Sequence, residues 1–487
     1  MPTALNKSHD LSRAHVDDTP KEQRKQLGQY FTPIEVAEFM ASLIPRTMTG
    51  NLRILDPGAG TGILGIAAAQ SLLAGATSSI SLTSFEVDKS VIERLDAALT
   101  SATRNASGRL AVDLRESDFL EATEGSLFSA TADRFDIAIA NPPYFKTSPS
   151  TTLGGTDPNA YARFMRRSAE LLVEGGYLVF IVPRSFASGF YFRRFRSFLR
   201  EHLSLERIHV FESRRDAFKD QSVLQENIIV VYRKGEDETP TVEVSTSVGV
   251  EEMKGARLLK VPRDLIYATE RDDASIRIPT TAQDVALLKR FDKLPTRLRE
   301  LSLEISTGPV VPFRAIEHLV ADDQAERGST VPLLWLQHVT AEGVAWPISG
   351  FKKPQRLAAS APSKLRVPNQ TCVLLRRFSA KEDQRRLVAG VLRGGQLAGP
   401  WIGLENHLNF VYRPGGSMQV EEAIGLSRLL NSRTYDDYFR ICNGNTQVGA
   451  TEMRELPLPA SQELFQLGRL DSSTSRIDTN ACDFIGI

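Results

Sequence analysis

Two short stretches of this 487-residue chain carry residues whose types and spacing imply chemistry. The first is Asp56-Pro-Gly-Ala-Gly-Thr-Gly62, at the end of a short apolar run. Its glycines allow a tight turn and close backbone approach to a ligand, and Gly60-x-Gly62-x-x-Gly65 with Glu86 further on satisfies the dinucleotide pattern. A carboxylate at Asp56, however, suits a ligand ammonium, which a pyrophosphate does not offer. S-adenosylmethionine offers one, together with a ribose diol that suits Glu86; NAD and a turn without ligand remain the alternatives. The second stretch is Asn141-Pro-Pro-Tyr144, 85 residues after Asp56. Consecutive prolines remove two donors and stiffen the turn, so the Asn141 amide oxygen and the Pro142 carbonyl form a pair of acceptors. Such a pair fits both hydrogens of a planar amino group and draws its lone pair out of conjugation, which makes the nitrogen nucleophilic toward a sulfonium methyl. Tyr144 adds a face on which a conjugated ring can stack. A rigid turn with a core tyrosine is the alternative.

These groups need a frame. From about Leu27 to Lys234 strand and helix patterns alternate, which predicts an α/β layer architecture with a parallel sheet and right-handed crossovers. Ile34–Ile44 reads as a helix with Thr32 as N-cap and Pro33 at its first position. A strand at 53–56 and a helix at 63–74 flank the glycines, and a strand at 135–140 delivers Asn141. Phe190–Glu201 reads as an amphipathic helix with its aromatics buried and its arginines outside, and 205–211 with 228–232 as a closing hairpin. The charged, proline-ended stretch 235–240 marks a boundary. Beyond it come short strands such as 333–337 and 372–375 and a clear helix at 282–291. The expected division is a loose tail at 1–26, a catalytic domain at 27–240, a connector at 241–300, a partly β recognition domain at 301–465 and a tail at 466–487.

Composition narrows the classes. With 41% hydrophobic and 24% charged residues the chain buries proper cores, which excludes global disorder and predicts two or three domains. No apolar run reaches the roughly 18 residues of a membrane helix, and the polar start carries no signal pattern, so a cytoplasmic protein is expected. Three scattered cysteines and seven histidines without metal-ligand spacing predict neither a disulfide framework nor a metal site. Fifty-nine basic and 59 acidic residues cancel, yet 351–400 holds eleven Lys/Arg against two acids. That excess predicts an anionic partner, with Arg376, Arg377, Arg385 and Arg386 as candidate contacts to DNA phosphates.

In order along the chain stand Leu27-Gly-Gln-Tyr-Phe-Thr-Pro33, the Asp56 loop, Phe85-Glu-Val-Asp88, Ser117-Asp-Phe119 and Asn141-Pro-Pro-Tyr144. With this order the sequence resembles the N6-adenine DNA amino-methyltransferases of restriction–modification systems, in their gamma arrangement. Ser222-Val-Leu-Gln-Glu-Asn-Ile228, Glu405-Asn-His-Leu-Asn409 and Gly444-Asn-Thr-Gln-Val-Gly-Ala-Thr451 make it most like type II methylases of the BsuBI/PstI and PaeR7I kind. The resemblance implies a class I, Rossmann-like S-adenosylmethionine-dependent methyltransferase sheet with a separate, mixed and partly β C-terminal DNA-recognition domain. It implies a monomer acting on double-stranded DNA beside a separate restriction endonuclease, and methyl transfer to a flipped-out adenine. It places Tyr30, Thr32 and Pro33 at the methionine end of the cofactor, Asp56, Gly58 and Gly60 at its amino-acid part and Glu86 at its ribose. Asp118 and Phe119 fall at its adenine, with Phe164 nearby; Asn141 borders cofactor and target, and Phe218 stacks on the extruded base opposite Tyr144. A methyltransferase of RNA or of a protein glutamine, and a DNA-binding subunit without activity, are the competing readings.

Overall fold

The computed structural model describes residues 4–18, 32–124, 134–145, 157, 159–212, 226–235, 239–250, 252–267, 275–321, 328–379, 383–444, 447–470 and 486. The chain divides into two compact units, Met1–Thr280 and Thr281–Ile487.

The first unit is built on nine strands: β1 (Gly50–Pro57), β2 (Thr77–Phe85), β3 (Leu110–Arg115), β4 (Phe135–Ala140), β5 (Leu172–Pro183), β6 (Leu203–Phe211), β7 (Asn227–Lys234), β8 (Thr241–Ser247) and β9 (Arg257–Pro262). Their order is β3-β2-β1-β4-β5-β7-β6-β8-β9. Strands β1 to β5 run parallel, and β7 is antiparallel to both β5 and β6. Parallel strands covered on both faces read as continuous apolar runs, as in Phe135-Asp-Ile-Ala-Ile-Ala140, whose last four residues are fully buried. The strand order reverses at β1, so a crevice opens where β1 and β4 end, the place where open α/β sheets bind ligands. That crevice receives Asp56 and Asn141.

Two parts of this unit depart from expectation. Residues 241–262 are no connector: β8 pairs parallel with β6 and β9 returns antiparallel, so the sheet extends past residue 240 and the units part at 280/281. The alternation in Thr-Val-Glu-Val-Ser-Thr is a strand signal that the nearby proline outweighed in the sequence reading. Nor is the amino-terminal stretch a loose tail, because Ala4–Asp18 is a helix with Ala4 and Leu5 in the core. The helix Ile63–Leu73 is apolar on every side because it lies between the sheet and the helices Ala4–Asp18 and Ile34–Ser42. Phe190–Phe192 forms a 3-10 turn ahead of the helix Arg193–His202. There Phe190 and Tyr191 are exposed, whereas Arg196 is buried and donates to the carbonyls of Phe186 and Gly189 at 2.8 and 2.7 Å.

The second unit carries an antiparallel sheet of Glu304–Thr307, Leu408–Tyr412, Cys372–Arg376 and Ala389–Leu392. A second sheet comprises Leu319–Val320, Arg356–Ala358, Thr330–Leu334, Trp401–Leu404 and Val367–Pro368. The strand expected at 333–337 ends at Leu334, and a 3-10 turn takes over at Leu336. A small two-stranded sheet, Val339–Thr340 with Gly343–Val344, and helices Ala282–Phe291, Val420–Leu430, Arg433–Cys442, Ala450–Arg454 and Ser461–Arg469 also belong to the unit. The last helix, Ser461–Arg469, replaces the start of the expected 466–487 tail. Its Gly468 lies so close to Val420–Leu430 that a Cβ there would meet the Glu421 carbonyl oxygen at 1.8 Å. Among the described residues no helix is long and apolar enough to cross a membrane.

Candidate active site

Asp56 is the penultimate residue of β1 and fully buried. Its Oδ2 accepts the Gly65 N–H at 3.0 Å, while Oδ1 is buried without a partner among the described residues. Burial pushes this carboxyl up to about 7; the Gly65 bond opposes the rise and the negative charge of Glu86 adds to it. A buried acceptor with an empty lone-pair direction is what an ammonium group would satisfy. Gly65 must be glycine here, since a Cβ would stand 2.9 Å from both Asp56 Oδ2 and Leu82 Cδ1. Gly60 turns with φ +57°, and its N–H donates to Glu86 Oε2 at 2.8 Å. Glu86 Oε1 takes the N–H groups of Val87 and Asp88, both at 2.9 Å. Desolvation raises the Glu86 pKa against these three bonds. The loop is tied to β2 as well, through Gly58 and Ala59 N–H donated to the Phe85 carbonyl.

Aromatic rings close one side of this cradle. Phe119 lies 5.3 Å from both Phe85 and Phe164. Phe164 Cε1 sits 3.4 Å from where a Gly58 Cβ would be, so a residue that no motif pinned reaches the glycine loop through the helix Ala160–Leu171. Asp118 caps the short helix Phe119–Glu124 by accepting the Glu121 N–H at 2.9 Å. The helix Ala4–Asp18 closes another side: Ser8 Oγ donates to the Thr61 carbonyl at 2.8 Å and Ser12 Oγ bonds Thr61 Oγ1. Ser8 and Ser12 were missed because a polar start without apolar run gives no periodic signal of docking.

Asn141 follows β4 and is held from both ends of its amide. Nδ2 donates to Thr32 Oγ1 at 3.2 Å, and the Tyr144 hydroxyl donates to Oδ1 at 2.7 Å while lying 3.0 Å from the Ile181 carbonyl. Thr32 is therefore not the expected helix cap; Pro33 occupies that position, extended and without a side-chain bond, and Thr32 is free to fix Asn141. Tyr144 packs edge-on to Tyr161 at 6.1 Å, and Tyr161 stacks on Phe192 at 5.5 Å. Arg184, just past β5, forms a buried ion pair with Glu226 at 3.0 Å beside the start of β7. The shared stretch 222–228 hinted at that acid, but nothing local pointed to Arg184. Tyr30 and Phe218 lie outside the described residues.

The arginines of the basic run divide. Arg386 is 1% exposed, with Nε on Ser379 Oγ at 2.9 Å and its guanidinium 5.5 Å from the Phe439 ring centroid. It is an internal strut, not a phosphate contact. Arg385 donates to the Asn431 carbonyl and Arg376 Nε to the Val339 carbonyl at 2.8 Å, each half-buried. Arg377 reaches the Asn406 carbonyl at 3.0 Å. Among the described residues, Lys352, Lys353, Lys364 and Arg393 are the exposed cations of the run.

A reversing sheet with an acidic strand end, a glycine loop and an Asn-Pro-Pro-Tyr turn at its switch point defines a class I S-adenosylmethionine-dependent methyltransferase. Residues 66–218 match the family model described as Eco57I restriction-modification methylase. The sequence is 35% identical over 477 residues to the type II methyltransferase M.PstI of Providencia stuartii, covering 95% of this chain and 93% of that protein. It is 34% identical over 484 residues to the type II methyltransferase M.BsuBI of Bacillus subtilis, covering 96% and 94%. In fold it is similar to the type IIL restriction-modification enzyme MmeI in complex with DNA, with a TM-score of 0.52 at 9% identity over 94% of this chain and 67% of that one. The chain belongs to the type II methyltransferases of restriction–modification systems.

Proposed function

We propose that this protein methylates N6 of an adenine within a specific site in double-stranded DNA and so protects that site from a separate endonuclease. The observation that carries the reading is the pairing, at one switch point, of the buried Asp56 with a fixed Asn141 amide. Bound S-adenosylmethionine supplies an electrophilic methyl group on its sulfonium. Asp56 Oδ1 would meet its ammonium, Gly58 and Gly60 would let the backbone approach, Glu86 would take its ribose hydroxyls, and Asp118, Phe119 and Phe164 would border its adenine. Tyr30, Thr32 and Pro33 would border the methionine end.

A base inside a duplex is out of reach, so the adenine swings out into the pocket. Asn141 Oδ1 and the Pro142 carbonyl accept the two N6 hydrogens, which localises the nitrogen lone pair for in-line displacement. Thr32 holds the amide so that its oxygen, not its nitrogen, faces the amine. Tyr144 gives up its bond to Asn141 and stacks on the base, with Phe218 as the opposite wall. The protein acts in the cytoplasm as a monomer. Purified protein, cofactor and unmodified plasmid DNA, followed by single-molecule sequencing, test the reading: N6-methyladenine at one recurring sequence is expected. Cofactor turnover with RNA or a protein glutamine, and none with DNA, would overturn it.

A further inference from the structure

The second unit contains a site that the reaction at Asn141 leaves unused. Residues 405–407 form the tight turn between Trp401–Leu404, which belongs to one sheet, and Leu408–Tyr412, which belongs to the other. Its backbone is fixed throughout. Glu405 N–H donates to the Leu334 carbonyl at 3.0 Å, Asn406 N–H to Val310 at 2.9 Å and Leu408 N–H to Glu405 at 2.9 Å. Arg377 clamps the outside, with its N–H on the His407 carbonyl at 2.8 Å and Nη1 on the Asn406 carbonyl at 3.0 Å.

On this rigid turn Glu405 is 1% exposed, whereas the His407 side chain is 44% exposed. Glu405 Oε2 accepts the His407 N–H at 3.1 Å, and Oε1 rests 2.5 Å from His407 Nδ1. One ring nitrogen thus faces a buried carboxylate, and the other, Nε2, has no partner among the described residues. Phe378, 39% exposed, packs edge to face with the imidazole at 4.7 Å, and Arg377 lies over the Phe378 ring at 5.9 Å. The backbone of Phe378 bridges to Gln447 and Asn409 Nδ2 donates to the Val448 carbonyl at 2.7 Å, so residues 405–409 and 447–448, far apart in sequence, meet at this point. Lys353 supplies further positive charge close to Glu405. A carboxylate whose task was the turn alone would need only the main-chain bond; here it also orients an exposed ring amid cations.

We infer that His407, oriented by Glu405 and flanked by Phe378 and Arg377, contacts duplex DNA: with the ring carrying both protons, Nδ1–H bonds the Glu405 carboxylate and Nε2–H donates to an acceptor on a base edge or a phosphate. The pre-fixed turn spares the ordering cost that a mobile loop would add on binding. Glu405 is a positioning residue, acting through the imidazole. The inference rests on the proposed reaction with DNA.

Its test uses the full chain with His407→Ala, His407→Gln, Phe378→Ala and Glu405→Gln. Affinity is measured for a duplex carrying the methylated sequence and for one lacking it, over a salt series, beside the melting temperature and the sequenced methylation pattern. Loss of a base contact weakens the first duplex about tenfold to a hundredfold and loosens the pattern at one position. Loss of a phosphate contact weakens both duplexes alike and lowers the slope of log affinity against log salt by about 0.9. Either result supports the contact, as does partial rescue by His407→Gln, which keeps a donor, and weaker binding by Phe378→Ala at an unchanged melting temperature. In Glu405→Gln a shifted affinity with Asn141 chemistry intact supports the positioning role. Wild-type affinity, salt slope and pattern in both His407→Ala and Phe378→Ala overturn the inference. A wild-type protein that methylates no DNA overturns the reaction on which it rests.

Discussion

The two units handle polar side chains differently. In the first, the chemical groups sit where strands end, and each is held by the sheet beneath it: Asp56 on β1, Glu86 after β2, Asn141 after β4. In the second, strands are mostly two to five residues long and polar groups sit on the turns between them, as at 405–407. Local motifs suffice to find groups of the first kind. The second kind is assembled from distant pieces, and its charges serve two purposes. Arg376, Arg385 and Arg386 bond the Val339 carbonyl on a two-residue strand, the Asn431 carbonyl at a helix end and the Ser379 hydroxyl, so density of positive charge along a sequence is not density of positive charge on a surface.

The sharpest way to break this contrast is Asn141→Ala. Methylation should fall by about a hundredfold to a thousandfold or more, as for other lost transition-state hydrogen bonds, while calorimetry without DNA shows nearly unchanged cofactor affinity. Retained turnover within about tenfold would remove Asn141 from the chemistry. Asp56→Ala should weaken the cofactor by about 2–5 kcal/mol, the range for losing one member of a buried charge pair. The elevated Asp56 carboxyl also sets a sign. Below about 7 the free protein holds a proton there that an ammonium must displace, so affinity should rise up to about tenfold per pH unit toward 7 and level off above it. A flat profile from pH 5.5 to 8 would mean that the ligand ammonium lies elsewhere.

In the second unit Arg386→Ala should lower stability by about 1–3 kcal/mol, visible in a denaturant melt, and leave the salt slope of DNA binding unaltered. A reduced slope with normal stability would return Arg386 to the surface and dissolve the contrast between the units. The smallest effect is expected for Ser8→Ala with Ser12→Ala: about 1 kcal/mol per lost hydrogen bond, seen as cofactor affinity weakened several-fold to about thirtyfold.

Much of the first unit was legible because continuous apolar runs and period-3.6 patterns alternated there. β4 falls on the expected residues and both chemical stretches land on one crevice; in the second unit the helix Ala282–Phe291, with its own capping box, was equally plain. What escaped the sequence depends on partners that are not local. The helix Ala4–Asp18 carries few apolar residues and is held by hydroxyls. Thr32 satisfies every rule for a cap yet is taken by Asn141, 109 residues away. Arg196 and Arg386 are buried because carbonyls and a serine reach them, which no spacing announces.

The amino-terminal helix has a consequence for the order in which the protein is made. Its Ser8 seats on Thr61, and its Lys7 donates to the carbonyl of Ala97, 90 residues downstream. A ribosome adding about 5–20 residues per second needs roughly 5–20 s to cover that distance. An isolated helix of 15 residues is only marginally stable in water, so this segment, made before Thr61 and Ala97, has no seat until they follow. It docks only once the residues up to Ala97 exist, and a segment made ahead of its partners becomes the latch that completes the glycine loop.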